Sequence, residues 1–163
     1  MVRGWVPGLI GEAVALHGRL YAADWGFDDQ FEATVAADMG AFFSRFDATR
    51  DVVLSTWHDG RLRGTVTLDL SDPEGAAGQG HLRWFLVDPA AQGHGLGRRL
   101  LQGALDAADA AGASVYLITF EGLAPARRLY EATGFVLVSE EETVLWGQRR
   151  RFQRFERPAL GNP

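Results

Sequence analysis

The first half of the chain contains two amphipathic segments with the spacing of helices. Apolar side chains recur every three or four positions over residues 10–21, which predicts a first helix. A second helix is predicted by a stripe formed by Phe31, Val35, Met39, Phe42, Phe43 and Phe46. Gly26 and Asp28 mark the break between the two segments, and the carboxylates of Asp28 and Asp29 suit a first helical turn.

From residue 52 onward the pattern becomes one of strands and helices. Residues 52–57 and 62–70 predict a hairpin, because the Asp59-Gly60 pair between them is a strong tight-turn signal. Residues 71–80 are rich in glycine and small polar residues and predict a loop. The later elements are predicted as strands at 81–87, 115–120, 135–139 and 143–155, with helices at 95–111 and 125–132. This order indicates a mixed sheet that contains a βαβ unit.

Composition narrows the classes of function. The 163 residues are interpreted as one domain, residues 1–163. There is no cysteine, which excludes disulfides, cysteine nucleophiles and thiolate metal sites, and leads us to expect a cytoplasmic location. All 16 basic residues are arginines, so a P-loop lysine and a Schiff-base lysine are excluded as well.

Charge and hydropathy lead to further expected absences. The net charge of −5 argues against nucleic acid as a partner. The sequence contains no run of about 18 apolar residues, so we expect no membrane span. The four histidines, at positions 17, 58, 81 and 94, are too widely spaced to predict a metal site. The arginines at 149–151, 154 and 157 lie in a predicted strand with two phenylalanines, and we interpret them as a solvated sheet edge.

One glycine-rich turn carries most of the functional information. The strand at 81–87 runs through Val87-Asp88-Pro89 into Gln92-Gly-His-Gly-Leu-Gly97, and a leucine-rich helix follows at once. Unpaired N–H groups at a helix N-terminus bind anions, and glycines let the backbone approach a pyrophosphate. Arg98 and Arg99 add positive charge where the helix dipole alone disfavours it. The glycine spacing matches neither a dinucleotide-binding fingerprint nor a P-loop. A merely tight structural turn is the alternative.

The turn resembles the pyrophosphate-binding motif Q/R-x-x-G-x-G/A of GNAT acetyltransferases. A second segment, from Ala126 to Phe135, resembles that family's A-x-x-L-Y-E-x-x-G-F signature and follows one strand later. The resemblance implies an α/β (α+β) GNAT fold: a central mixed, mostly antiparallel sheet of about six or seven strands with about four helices on its faces. It also implies acetyl-CoA as co-substrate, no metal, and direct transfer of an acetyl group to a primary amine.

A narrower resemblance concerns the acetyltransferase half of fusion proteins that carry a MarR-type regulator. It rests on residues 17–21 with Trp25, Gly26, Phe27 and Phe31, on the L-R-x-x-L-V-x-P pattern of residues 82–89, and on Gly147-Gln148. The DNA-binding half of such fusions is absent from this chain, so a regulatory role does not carry over.

The resemblance assigns roles to individual residues. It implies cofactor binding by Leu86, Val87, Gln92, Gly93, His94, Gly95, Leu96, Gly97 and Arg98. Tyr130 corresponds to a tyrosine that protonates the leaving thiolate, and a packed aromatic is the alternative. His81 stands where several members place a glutamate base, and an exposed histidine at the start of a strand is the alternative. Glu141, Glu142 and Asp69 are other candidate bases.

The acceptor end is the least specified part of the site. Tyr21, Trp25 and Arg83 are expected to line it, and Arg83 either pairs with an internal carboxylate or binds an acidic group of the substrate. The acceptor is expected to be a small-molecule or peptide amine, and a homodimer is possible. Leu123 stands where many members have an asparagine, which removes one contact to the cofactor. A catalytically silent module that binds acyl-CoA is the rival interpretation.

Overall fold

The computed structural model describes residues 1–161 and contains one seven-stranded sheet with four α-helices. The helices are α1 (Leu9–Trp25), α2 (Asp29–Phe43), α3 (Leu96–Ala110) and α4 (Ala124–Ala132). The strands are β1 (Val2–Arg3), β2 (Val52–His58), β3 (Arg61–Asp69), β4 (Gln79–Val87), β5 (Ser114–Phe120), β6 (Val136–Leu145) and β7 (Gln148–Arg157), in the sheet order β1-β2-β3-β4-β5-β7-β6. Only β4 and β5 pair in parallel. The predicted fold class is confirmed.

Helices cover both faces of the sheet. In β2, Val52 and Leu54 pack in one hydrophobic cluster and Val53 in the other, as the two-residue period of a strand requires. The first cluster contains the buried face of α3 together with Tyr130 of α4, and the second contains the apolar stripes of α1 and α2. The sheet therefore separates an α3/α4 face from an α1/α2 face. Within residues 1–161, no helix is long and apolar enough to span a lipid bilayer.

Local signals place most of the elements where the sequence predicts them. Asp28 accepts a hydrogen bond from the Gln30 N–H and caps α2, while Gly26 ends α1 in the left-handed region. Asp59 and Gly60 have φ of 51° and 71°, which is the tight hairpin turn expected of this pair. The short strand β1, which pairs with β2, was not predicted, because two residues carry no periodicity.

The C-terminal quarter corrects two predictions. Residues 143–155 do not form one strand: Trp146 and Gly147, with φ of 53° and 76°, turn the chain between β6 and β7. The arginine-rich strand is not a sheet edge either, because β7 lies between β5 and β6. Arg154 stacks on the ring of Tyr116 at 3.9 Å, and Arg157 makes two hydrogen bonds to Asp109 of 2.7 and 2.9 Å.

The sheet opens between its two parallel strands. β4 and β5 pair at Gln79, Gly80 and His81 only, and the two strands separate after the His81–Tyr116 pair. On its other side, β4 has a bulge that changes the register against β3 between Thr65 and Thr67, and Trp84 there has φ of 47°. The bulge lets Arg83 and Trp84 both face the α1/α2 side, and it bends β4 away from β5.

His17 of α1 makes the stability of this fold pH-dependent. Its side chain is 4% exposed, and burial lowers its pKa to about 4, although Nδ1 lies 2.8 Å from the Ala13 carbonyl oxygen. A depressed histidine pKa means that the unfolded chain binds the proton more readily. This contribution to stability is therefore complete above about pH 6.5 and is lost as the pH falls toward 4.

We expect His17→Leu to make the acid limb of the stability curve less steep; the contribution of His81, whose pKa is also lowered to about 4, remains. Between pH 7 and pH 5 the unmodified protein should lose about 2 kcal/mol of unfolding free energy through His17, and the variant should not. Urea unfolding at each pH measures this. His58→Gln, which removes an exposed histidine, is the matched control for the substitution itself. Equal acid limbs in the unmodified protein and His17→Leu would contradict the assignment.

Candidate active site

The site is a cleft of about 880 Å³ that begins where β4 and β5 separate. Residues 81–87 of β4 form one wall and residues 117–120 of β5 form the opposite wall. The N-terminus of α3, helix α4 and side chains of α1 and α2 add to the lining, as do Trp146 and Phe152 from the C-terminal hairpin. Because the strands separate within the sheet, the cleft reaches both the α3/α4 face and the α1/α2 face.

The glycine-rich turn lies at the α3/α4 end of this cleft. Gly93 and Gly95 have φ of 82° and 71°, a backbone conformation that residues other than glycine rarely adopt. Gly95 is the N-cap of α3 and no side chain caps the helix there, so the first N–H groups are available to a ligand. The turn therefore has the features that the sequence analysis predicts for an anion site at a helix N-terminus.

The predicted cofactor residues are not equally placed around this cleft. Gln92, Gly93, Gly95, Leu96, Gly97 and Arg98 line it, together with Leu86 and Val87. His94 is exposed, is not part of the wall, and lies with Nδ1 2.9 Å from the Gln92 carbonyl oxygen. The Gln92 side-chain amide donates a hydrogen bond of 3.2 Å to the Val87 carbonyl, which ties the turn to the end of β4.

Tyr130 reaches the cleft from α4. It is buried against the rings of Phe85, Phe135 and Phe155, and no described residue hydrogen-bonds its hydroxyl. Burial raises the pKa of Tyr130, and the Tyr21 phenol adds to this effect. Burial likewise raises the pKa of Tyr21 to about 12. Two protonated phenols, one from each hydrophobic cluster, therefore line the same cleft.

His81 occupies the point where the cleft starts. Its side chain is 16% exposed, which does not fit the alternative interpretation of His81 as an exposed histidine at the start of a strand. The ring stacks on Tyr116 with 4.2 Å between centroids, and Nδ1 lies 3.0 Å from Asp72 Oδ2. Burial and the nearby Arg83 lower the pKa of His81 to about 4, against the opposing effect of Asp72. At neutral pH the imidazole is uncharged and can accept a proton.

The other candidate bases are less well placed. Asp69 is fully buried and is engaged by both terminal nitrogens of Arg45. Glu141 and Glu142 are exposed on β6, and neither lines this cleft. The sequence did not single out Asp72 and Tyr116, because one lies in a loop and the other reads as an ordinary buried strand residue. Only the pairing of β4 with β5 brings them to His81.

The α1/α2 end of the cleft is rich in aromatic rings. Tyr21 and Trp25, which the sequence analysis expects at the acceptor end, line it, and Phe120 packs edge-on against Trp25 with 5.1 Å between centroids. Phe31, Trp84, Trp146 and Phe152 add further rings that the sequence analysis did not assign to the site. This end of the cleft is thus predominantly aromatic.

Arg83 also lines the cleft but is already paired. Its guanidinium lies 3.4 Å from Asp38 and 3.8 Å from Asp69, and it stacks over the Trp84 ring at 4.3 Å. Of the two expectations for this residue, the structure supports the internal ion pair. A group with two carboxylate neighbours and an aromatic partner has little remaining capacity to bind an acidic substrate.

The family is shown by a match over most of the chain. The model of the acetyltransferase (GNAT) family matches residues 18–135, which is more than two thirds of the sequence. The chain belongs to the GNAT acetyltransferase family. The matched segment begins within α1 and ends at Phe135, directly after α4. Of the residues that line the cleft, His17, Trp146 and Phe152 lie outside it. A comparison with curated proteins returned no relative.

Solved structures share the GNAT fold at low sequence identity. A protein assigned as a phosphinothricin N-acetyltransferase has a TM-score of 0.75 and 20% identity, with 98% of this chain and 99% of that chain covered. The ribosomal-protein-alanine N-acetyltransferase of Brucella melitensis has a TM-score of 0.74 and 16% identity, with 97% and 99% covered. A Salmonella typhimurium protein assigned as an acetyltransferase, solved with its cofactor acetyl-CoA, has a TM-score of 0.73 and 17% identity, with 99% and 95% covered.

Alanine substitutions at two glycines of the turn should have different effects on the unfolding free energy. Gly95→Ala places a side chain at φ of 71° and should lower the unfolding free energy by about 1 kcal/mol. Gly97 lies in α3, where an added Cβ would meet its nearest neighbours, the Leu129 and Phe85 side chains, at 3.5 Å, an ordinary contact. Gly97→Ala should therefore be neutral or stabilise by up to about 1 kcal/mol. Urea unfolding without ligand measures both, and equal effects would contradict the assigned backbone geometry.

Proposed function

We propose that this protein transfers an acetyl group from acetyl-CoA to a primary amine. The observation that carries the proposal is the continuous cleft that joins an uncapped helix N-terminus on one face of the sheet to an aromatic pocket on the other. Tyr130 and His81 lie along its course. Acetyl-CoA supplies the activated acyl group when it is bound. Membership of the acetyltransferase family and a fold neighbour solved with acetyl-CoA support this choice of co-substrate.

Binding of the co-substrate is assigned mainly to backbone groups. The N–H groups from Gly93 to Arg98 would hold the pyrophosphate, and the Arg98 side chain, which lines the cleft, would add a positive charge. β4 has no strand partner on its β5 side at Leu86 and Val87 within the described chain. The peptide groups there can pair with the amides of the pantetheine arm, as a strand edge pairs with an added strand.

Proton transfer is divided between the two faces of the sheet. His81 faces the α1/α2 side, where the acceptor pocket lies, and is uncharged at neutral pH, so it would accept the proton of the attacking amine. Tyr130 lies on the α3/α4 side and stays protonated because burial raises its pKa. It would donate its proton to the leaving thiolate. The same physical cause, burial, keeps both groups in the protonation state that their task needs.

The acceptor is proposed to be a small-molecule or peptide amine. The fold neighbours bear names that refer to a small molecule, phosphinothricin, and to a protein terminus, ribosomal-protein alanine, so both classes remain open. The single-domain organisation, a cytoplasmic location, a possible homodimer and the similarity to MarR-type fusion proteins also stay predictions. The catalytically silent acyl-CoA-binding module has no specific observation in its favour.

Acetyl-CoA should stabilise the folded protein. At about 100 times its dissociation constant it should add roughly 2.7 kcal/mol, seen as a higher unfolding temperature. Gly95→Asp should abolish the shift, because a carboxylate then faces the phosphates. Gly112→Asp is a matched control, since Gly112 also has positive φ, 64°, and open space around it but lies after α3. No shift in the unmodified protein, or an equal shift in Gly95→Asp, would refute the site.

Tyr130→Phe should reduce kcat roughly 100-fold while acetyl-CoA binds as before, because only the proton donor is removed. The unfolding free energy should barely change, since no described residue bonds the hydroxyl. CoA release measured with a small amine, an amino acid and a short peptide with a free N-terminus tests this. Full turnover by the variant would exclude the donor role. Acetyl-CoA binding without turnover of any amine would favour the silent module instead.

A further inference from the structure

Two polar side chains hold the same nitrogen of His81. Asp72 Oδ2 and the Tyr116 hydroxyl each lie 3.0 Å from Nδ1, and the Tyr116 hydroxyl also donates a very short hydrogen bond to Asp72 Oδ2. The Asp72 side chain is 5% exposed. The three groups come from the β3–β4 loop, β4 and β5, and they meet at the last pair before the strands separate.

The two oxygens of Asp72 have different partners. Oδ1 accepts the Glu74 N–H at 3.0 Å and shapes the loop, in which the Asp72 carbonyl also accepts the Gly75 N–H. The loop is therefore held without Oδ2, which is directed at His81 and Tyr116. A contact that only anchored the loop would not need the second oxygen.

This arrangement determines which ring nitrogen of His81 carries the proton. An ionised carboxylate can only accept, and the Tyr116 proton is already directed at Asp72, so Nδ1 must be the donor. Nε2 then carries the lone pair, and no described residue hydrogen-bonds it. His81 lines the cleft on the face where Tyr21 and Trp25 lie, so this lone pair is presented to the acceptor side.

The charges around the pair are consistent with this protonation state. Burial alone would raise the pKa of Asp72, but hydrogen bonds from Tyr116 and the Glu74 N–H, together with His81, bring it below its ordinary value. Arg83 and Asp69 act on His81 in opposite senses, and Arg154 stacks on Tyr116. At neutral pH the group therefore consists of an ionised Asp72, an uncharged His81 and a protonated Tyr116.

We propose that Asp72 and Tyr116 are positioning residues that fix His81 in its Nδ1–H tautomer and direct Nε2 toward the acceptor amine. The proposal rests on the acetyl-transfer function above. It assigns two residues that keep the proposed base, His81, able to accept a proton at Nε2. Neither residue touches the reacting atoms. Their effect is to keep the lone pair on the nitrogen that faces the cleft, which orients the base and lowers the cost of charging the ring.

Long-range ¹H–¹⁵N spectra of histidine-labelled protein at pH 7.5 test the tautomer directly and need no substrate. His81→Gln assigns the signals. We expect a protonated Nδ1 and a bare Nε2 in the unmodified protein, and a shift toward the Nε2–H tautomer in Asp72→Asn, with a smaller shift in Tyr116→Phe. Asp106→Asn, which alters an exposed carboxylate of α3, should change nothing. An Nε2–H tautomer in the unmodified protein, or unchanged spectra in Asp72→Asn, would overturn the proposal.

Kinetics test the consequence for catalysis. With the amine that gives the highest kcat/KM in the panel above, Asp72→Asn should lower kcat about 10-fold or more, and the dissociation constant of acetyl-CoA should stay the same. Asp72→Glu, which keeps a carboxylate, should recover part of the rate. An unchanged kcat in Asp72→Asn would overturn the positioning role. Failure of the unmodified protein to bind acetyl-CoA would instead refute the proposed function, and the spectra would still decide the tautomer.

Discussion

The separation of β4 from β5 is the constraint on which the rest of the structure depends. Two parallel strands that paired along their whole length would close the sheet and leave no path between its faces. The bulge at Trp84 bends β4 away after His81, and backbone groups that would pair with a strand become available to a ligand. Helices cover both faces, so the gap becomes a cleft with walls instead of a break open to solvent.

Electrostatics in this cleft are local and independent of the net charge. The chain carries −5 overall, but the uncapped start of α3 presents N–H groups and Arg98 to the cleft. Farther along, burial acts in opposite senses on a histidine and a tyrosine: it leaves His81 uncharged and Tyr130 protonated. At neutral pH the cleft therefore contains an uncharged imidazole and an uncharged phenol.

The α1/α2 end of the cleft combines aromatic rings with a charge that is already paired. Arg83, which lines the cleft, is held by Asp38, Asp69 and the ring of Trp84. Asp69 in turn is held by Arg45, so the network extends from α2 through β3 to β4. Such a network fixes the shape of the pocket wall. Family membership indicates acetyl transfer, and in the proposed function this wall selects the acceptor.

The sequence by itself determined those features that depend on neighbours within a few residues: the apolar stripes of α1 to α3, the Asp28 cap, the Asp59-Gly60 turn and the glycine-rich turn before α3. Residue spacing and backbone preference act between residues that are close in the sequence, so they can be predicted without a structure. Only the tertiary structure decided that β7 lies inside the sheet, that Trp146 and Gly147 form a turn, and that Arg83 is internally paired. It alone brought Asp72 and Tyr116, 44 positions apart, to one nitrogen of His81. Strand order and register determine such contacts, and the local sequence pattern predicts neither of them.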